Sequence, residues 1–173
     1  MPAARPPPPT GTTTVGGGGL AAGIVAALAE ARPRVRVVGV QAARAAAYPA
    51  SLAAGRPVAA PELRTMADGI AVGVPGSVPF GILSEHRIPV RTVSEEDLSR
   101  ALLLVAERAK MLVEPSGAAA AAAVMAGVGP LEGPVVVILS GGREPVPDHP
   151  HEHQRVDVAA GQDRDDRSLQ ATG

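Results

Sequence analysis

The sequence predicts an α/β fold built on a mainly parallel sheet. Three observations carry that expectation. Short β-branched runs alternate with longer helical patterns along the chain. The run Val35–Val40 is almost wholly apolar, as expected of a strand buried on both faces. Two glycine motifs, Gly16–Gly19 and the Gly141-Gly142 that follows Ser140, each lie directly after a strand candidate. Parallel sheets bind ligands beyond the carboxyl ends of their strands, so this placement is informative.

The elements follow in order. Residues 1–14 read as an unpacked proline-rich arm around Pro6–Pro9, with the stub of a strand beginning at residue 12. Gly19–Ala31 is a helix stopped near Pro33, and Val35–Val40 is a strand. Gln41–Leu52 is helical in pattern but interrupted by Pro49. Gly69–Val72 and Ile88–Val93 read as strands, with a short helix at Pro79–His86 between them. Ser94 caps the next helix, Asp97 stands where a capping-box acid belongs, and Leu98, Leu102, Val105 and Ala109 continue it at helical spacing. Pro115 opens a helix running Ser116–Met125 and ending near Gly127 and Gly129. Val135–Leu139 reads as a buried strand. From residue 143 to 173 the chain is polar and expected to be disordered. His149, His151 and His153 alternate there, and nothing in the sequence fixes a metal geometry for them. The mixed charges of Gln162–Arg167 read as a solvated face.

The segment Val15-Gly16-Gly17-Gly18-Gly19-Leu20 is the most telling in the chain. Glycine has no Cβ, so its backbone approaches a ligand closely and turns its N–H groups toward it. The helix that follows adds unpaired N–H groups and the positive end of its dipole. Together these make a cradle for an anion, above all a phosphate. The competing reading is a flexible glycine linker, but a helix follows at once with no serine spacer.

Bulk properties set further bounds. The 173 residues suit one domain with tails, and a net charge of −1 offers no electrostatic reason for nucleic-acid binding. Hydrophobic content is 46%, but alanine dominates it and aromatics are 1%, so each core side chain buries little area. There is no cysteine, which excludes disulfides and thiolate metal sites and suits a cytoplasmic protein. No apolar run is long enough to span a membrane, and Arg5 leads into prolines rather than into a signal-peptide core.

Six segments in order resemble the C-terminal part of the threonine dehydratases, which are tryptophan-synthase-β-like (fold type II) pyridoxal-phosphate enzymes. They are Val15–Leu20, Val38–Gln41, Thr65–Val72, Glu107–Lys110, Glu114–Ala119 and Leu139–Gly142. The resemblance implies a three-layer sandwich with a mainly parallel sheet over residues 15–142, incomplete relative to the full enzyme. It implies pyridoxal 5′-phosphate as cofactor and a threonine or serine ammonia-lyase reaction on a small amino-acid substrate. Gly16, Gly17, Gly18, Gly19 and Leu20 would wrap the cofactor phosphate, and Ser140 would hydrogen-bond the pyridine nitrogen. A neutral hydroxyl there does not force a pyridinium, and the weaker electron sink suffices for β-elimination. Glu114 would lie on the substrate side; it is equally well read as an acid favoured at a helix N-terminus.

The departures are specific. The family's Schiff-base lysine belongs upstream of the glycine loop, and the single lysine of this chain is Lys110, within a helical pattern. No catalytic residue is therefore assigned, and the chain is expected to be inactive alone. Arg143 replaces the family's Asn after Ser-Gly-Gly. Gln41 stands where some relatives carry an acid that helps hold a cation, so no metal site is expected. The matches stop abruptly at both sides, which suggests a truncated or frame-disturbed gene fragment. An unprotected sheet edge then predicts marginal stability and self-association, with a homo-oligomer as one form of it. Two alternatives stay open: a non-catalytic remnant that retains phosphate affinity, and a dinucleotide-binding domain suggested by Gly17-x-Gly19-x-x-Ala22.

Overall fold

The computed structural model describes residues 7–129, 131 and 133–140. These form a four-stranded, wholly parallel sheet in the order β3-β2-β1-β4. The strands are β1 (Thr10–Thr14), β2 (Arg36–Ala42), β3 (Val90–Val93) and β4 (Val135–Val137). Five α-helices connect or flank them: α1 (Gly19–Ala31), α2 (Tyr48–Ala54), α3 (Ser77–Glu85), α4 (Glu95–Leu104) and α5 (Pro115–Met125). The chain runs outward from β1 to β2 to β3, then returns to place β4 on the other side of β1. The crevice beyond the carboxyl ends of β1 and β4 is thus a topological switch point, where open α/β sheets bind their ligands.

Side chains alternate across each strand, so β2 feeds two cores. Val37 joins Val15, Ala21, Val25, Tyr48, Phe80, Leu83, Ile88 and Val90 under α1 and α3. Val40 and Ala42 join Val93, Leu98, Ala101, Val105 and the alanines of α5 under α4 and α5. Helices on both faces make the three-layer sandwich. α5 is the innermost helix: every residue from Ser116 to Ala123 is buried. Only methyl-sized side chains let a helix sink this far against a sheet while α4 packs on its other flank.

β1 shortens the expected arm: the strand stub expected from residue 12 is there, but the strand starts at Thr10 and Thr10–Thr14 is held between β2 and β4. Threonine carries no apolar signal, yet its β-branched side chain suits a pleated surface. Three further boundaries move. Gln41 and Ala42 extend β2, Ala43–Ala45 is a 3₁₀ turn, and α-helix begins only at Tyr48. The Gly69–Val72 run is no strand; Asp68–Ile70 is a 3₁₀ turn. Val135–Val137 is shorter than expected and lies on the sheet edge, with Val136 57% exposed rather than buried. The tail from residue 143, with its three alternating histidines and Gln162–Arg167, lies outside the described residues, as do Gly141 and Gly142.

The α4 start is as expected. The Ser94 hydroxyl accepts from the Asp97 amide at 3.1 Å, and Asp97 accepts from the Ser94 amide at 3.1 Å. The Ser94 hydroxyl also donates to the Asp97 carboxylate at 2.7 Å, and that bond, with the one from the Ser94 amide, holds the Asp97 carboxyl below its ordinary pKa. Its contribution is present above the usual aspartate range and is lost as pH falls through the lowered value. α4 ends in a π-helical turn, Val105–Ala109, closed by Lys110 in a left-handed conformation.

The hydroxyls of Thr12 and Thr13 are buried without a hydrogen-bond partner. Unpaired buried hydroxyls are costly, whereas the isosteric methyl is not. Thr13→Val is therefore expected to raise unfolding free energy by about 1 kcal/mol. Leu98→Ala, at a fully buried position, should lower it by about 3 kcal/mol. Urea titrations of both variants check the opposite signs.

Candidate functional site

A cleft of about 290 Å³ opens at the switch point, lined by Thr14, Gly16–Leu20, Gly69, Ile70, Glu114, Ser116 and Ser140. The glycine loop leaves β1 and enters α1. Among the described residues, none of the amides from Gly16 to Leu20 finds an acceptor, although the Val15 amide pairs with Val40 and the Ala22 amide with Gly18. Five backbone donors therefore lie at one bend, at the positive end of a 13-residue helix with no acid in its first turn.

The loop is held in this shape from behind. The Gly17 carbonyl accepts from the Tyr48 hydroxyl at 3.1 Å and from the Gly76 amide at 3.0 Å. Gly18 adopts φ +98, a left-handed conformation, and a Cβ there would lie 1.9 Å from the Tyr48 hydroxyl oxygen. Only glycine fits on both counts. Tyr48 is fully buried, and that burial pushes its phenol pKa upward, so the hydroxyl stays a protonated donor. Its ring packs on Phe80 at 6.3 Å between centroids, which unites the single tyrosine and the single phenylalanine of the chain.

Opposite the loop, α5 brings a second helix N-terminus to the cleft. Its cap residue is Glu114, whose side chain makes no capping bond. The buried Ser116 hydroxyl has no partner. A Cβ on Gly69 would meet that hydroxyl at 2.8 Å and the Glu114 carboxylate at 3.3 Å, so the 3₁₀ turn presses closely on both. Ser140 arrives from β4 and rests on α5: a Cβ on Gly117 would lie 1.8 Å from the Ser140 carbonyl oxygen. The Ser140 hydroxyl lies 2.9 Å from that of Thr14.

The structure thus brings together every residue the sequence singled out as a ligand contact: Gly16, Gly17, Gly18, Gly19, Leu20, Ser140 and Glu114. It adds Thr14, Gly69, Ile70 and Ser116, of which Gly69, Ile70 and Ser116 fall inside segments that carried the resemblance. Lys110 does not line the cleft; it is exposed at the end of the π-turn. Gln41 is buried, and its carbonyl oxygen accepts from the Tyr48 amide at 2.9 Å. Among the described residues, no three His, Asp or Glu side chains gather as metal ligands. A larger cavity of about 530 Å³ lies at the amino-terminal ends of β2 and β3. Its walls are mainly aliphatic, from Val25, Leu28, Val35, Val37, Val38 and Ile88, with Arg36, His86 and Arg87 among them.

Five free amides, two helix N-termini and the three hydroxyls of Thr14, Ser116 and Ser140 over a sheet end suit a ligand with a phosphate at one end and a polar ring beside it. Comparison with known proteins points the same way. Residues 5–141 match the model of the family described as pyridoxal-phosphate dependent enzyme.

The chain belongs to that family.

Two relatives are L-threonine ammonia-lyases. The one from Geobacter sulfurreducens is 42% identical over 124 residues, covering 71% of this chain and 31% of the relative. The one from Thermotoga maritima is 37% identical over 123 residues, with the same shares covered. Among solved structures, a threonine deaminase from T.th. superposes with a TM-score of 0.73 at 39% identity, over 78% of this chain and 49% of that one. Serine racemase from Dictyostelium discoideum gives 0.69 at 29% identity, over 83% and 46%. The chain therefore spans about a third of the curated relatives and about half of the solved chains it matches.

Gly18→Ala is expected to force the loop away from Tyr48 and to destabilise the chain. Gly23→Ala, on an exposed helical turn with open space around it, should stabilise by about 0.5–1 kcal/mol. Thermal melts of the two variants separate the cradle glycine from a merely helical one.

Proposed function

We propose that this chain is the cofactor-binding part of a pyridoxal-phosphate-dependent threonine or serine dehydratase. The reaction of such an enzyme on L-threonine yields 2-oxobutanoate and ammonia. The observation that carries this reading is the convergence of the free amides of Gly16–Leu20 and the Ser140 hydroxyl on one cleft at the switch point. The glycine loop and the α1 N-terminus would hold the phosphate. Ser140 would contact the ring nitrogen, and Glu114 would face the substrate. The orphan amides and the Cβ-free wall at Gly18 support the fit, because both suit a close, multiply charged oxygen ligand.

When bound, the cofactor supplies an electron sink for loss of the α-proton and the β-hydroxyl of a hydroxy-amino acid. This chain's own residues bind and orient. Among the described residues none brings a side-chain amine to the cleft, the single lysine, Lys110, lying elsewhere. On its own the chain is proposed to bind cofactor without turnover. We place it in the cytoplasm with a small amino acid as partner, associating with itself through the outer strands β3 and β4 of the described sheet. No described helix is long and apolar enough to cross a membrane.

The dinucleotide reading is disfavoured by β2. Its end carries Gln41, buried and bonded to the Tyr48 amide, where a ribose-binding carboxylate would be needed. The remnant reading differs from the main one only in lacking ring recognition.

Pyridoxal phosphate at a hundredfold excess over its Kd should stabilise the chain by about 2.7 kcal/mol, seen as a raised Tm. Lys110→Ala should leave the shift intact, and Gly18→Ala should abolish it. Release of 2-oxobutanoate from L-threonine should stay at background with the purified chain. No ligand shift, or clear turnover, overturns the proposal; equal shifts with inorganic phosphate and the cofactor favour the remnant reading.

A further inference from the structure

The larger cavity has a chemistry of its own. It lies at the amino-terminal ends of β2 and β3, at the opposite end of the sheet from the glycine cleft, and has a volume of about 530 Å³. That volume is ordinary for a small-molecule site. Among its walls Val25, Val37, Val38 and Ile88 are buried, and Leu28 and Val35 are half-buried. Its charged side chains are all of one sign. Arg36, His86 and Arg87 line it, and among the described residues no Asp or Glu does. The acids nearest to them in sequence, Glu30 and Glu85, are exposed and stand outside the lining. An adjoining hollow shares Pro33 and Val35 and adds Arg32 and Arg34. The whole chain has a net charge of −1, so this basic end is a local feature.

Arg87 is placed here by an unusual backbone. α3 ends in a Schellman motif: the Arg87 amide donates to the Ser84 carbonyl at 3.0 Å, and the Ile88 amide donates to the Leu83 carbonyl at 2.9 Å. The motif puts the residue between those last two turns in the left-handed region, where glycine is usual. Here that residue is Arg87, with φ 51. Lys110 is the one other non-glycine residue with a positive φ among those described. Strained backbone of this kind clusters at ligand clamps. An arginine in place of the residue best suited to the turn sets a permanent cation beside an aliphatic cavity.

We propose that this cavity is a second binding site, for an aliphatic monocarboxylate whose chain lies against the valines of β2 and whose carboxylate pairs with Arg87. The two halves of the lining argue for the two halves of the ligand. Aliphatic walls give a purely polar anion such as phosphate little to bind. A basic rim repels the ammonium of an aliphatic amino acid and leaves a neutral alcohol without a partner. The inference goes beyond the functional reading above and does not rest on it, because the cavity shares no residue with the glycine cleft.

The test is calorimetric titration of the full chain with octanoate, decanoate and decanol, each below its micelle concentration. Decanoate should bind more tightly than octanoate, by up to about fourfold for each added methylene. Decanol should bind roughly tenfold more weakly than decanoate. Arg87→Gly separates binding from folding. Glycine adopts this φ without strain, so the variant should melt above the wild type, yet bind decanoate roughly tenfold more weakly. Arg87→Lys keeps the charge and should retain most of the affinity. Saturating pyridoxal phosphate should leave decanoate binding unchanged.

No decanoate binding overturns the inference, as do equal affinities for decanoate and decanol or affinity independent of chain length. Wild-type affinity in Arg87→Gly overturns it too, and leaves Arg87 as a cation favoured only by the carboxyl end of α3. If Arg87→Gly melts below the wild type, Arg87→Asn, the other residue common at this turn, decides by the same comparison. Displacement of decanoate by pyridoxal phosphate places the ligand in the glycine cleft and overturns the inference. Failure of pyridoxal phosphate to bind at all overturns the functional reading and leaves this one standing on its own titrations.

Discussion

The Gly17 carbonyl is the hinge of the site. It turns away from the cleft because the Tyr48 hydroxyl and the Gly76 amide both donate to it. A peptide whose carbonyl is held on one side directs its N–H to the other. Holding this one oxygen therefore aims the Gly18 N–H of the same peptide plane at the ligand position. Each donor comes from a different part of the connection between β2 and β3: Tyr48 from the start of α2, Gly76 from just before α3. The cradle is thus a product of that connection as much as of the glycines. The left-handed Gly18 beneath Tyr48 shows how closely the two are fitted.

The second constraint is the depth of α5. A helix carrying leucines would stand farther from β1 and lift its N-terminus away from the glycine loop. The alanine run keeps the axis close, so Ser116 reaches the cleft and Gly117 receives the Ser140 carbonyl. The low aromatic content follows the same logic. The large side chains Tyr48 and Phe80 sit on the opposite face, where α1 and α3 leave room for them.

Legibility in the sequence varied with distance along the chain. The glycine loop was readable because all its parts are consecutive and the helix behind it shows in the same window. The α4 capping box was readable for the same reason. β1 was readable only as a stub from residue 12, because its threonines offer no apolar pattern and follow a proline run; its burial comes from strands and helices encoded much later. The apolar Gly69–Val72 run was misleading. Its burial comes from folding over Gly16 as a turn, since a Cβ on Gly16 would approach the Ile70 Cα to 3.1 Å. Tyr48 and Thr14 escaped notice because their partners are 31 and 126 residues away. The resemblance gathered Ser140 and Glu114 with the loop, which local pattern alone would not have done.

The buried α5 also bears on how this chain can drift in sequence. Six successive alanines, Ala118–Ala123, have almost no surface and no slack on either side. A single added methylene in such a packed core costs about 1–3 kcal/mol, and deleting the methyl to give glycine weakens the helix by roughly 1 kcal/mol. Neither direction of change is free. The exposed face of α1, by contrast, carries Gly23, Ala26, Ala27 and Glu30 and tolerates most residues. Variation between close homologues should therefore accumulate on α1 and leave α5 as a nearly silent block of alanine, a record of packing rather than of catalysis.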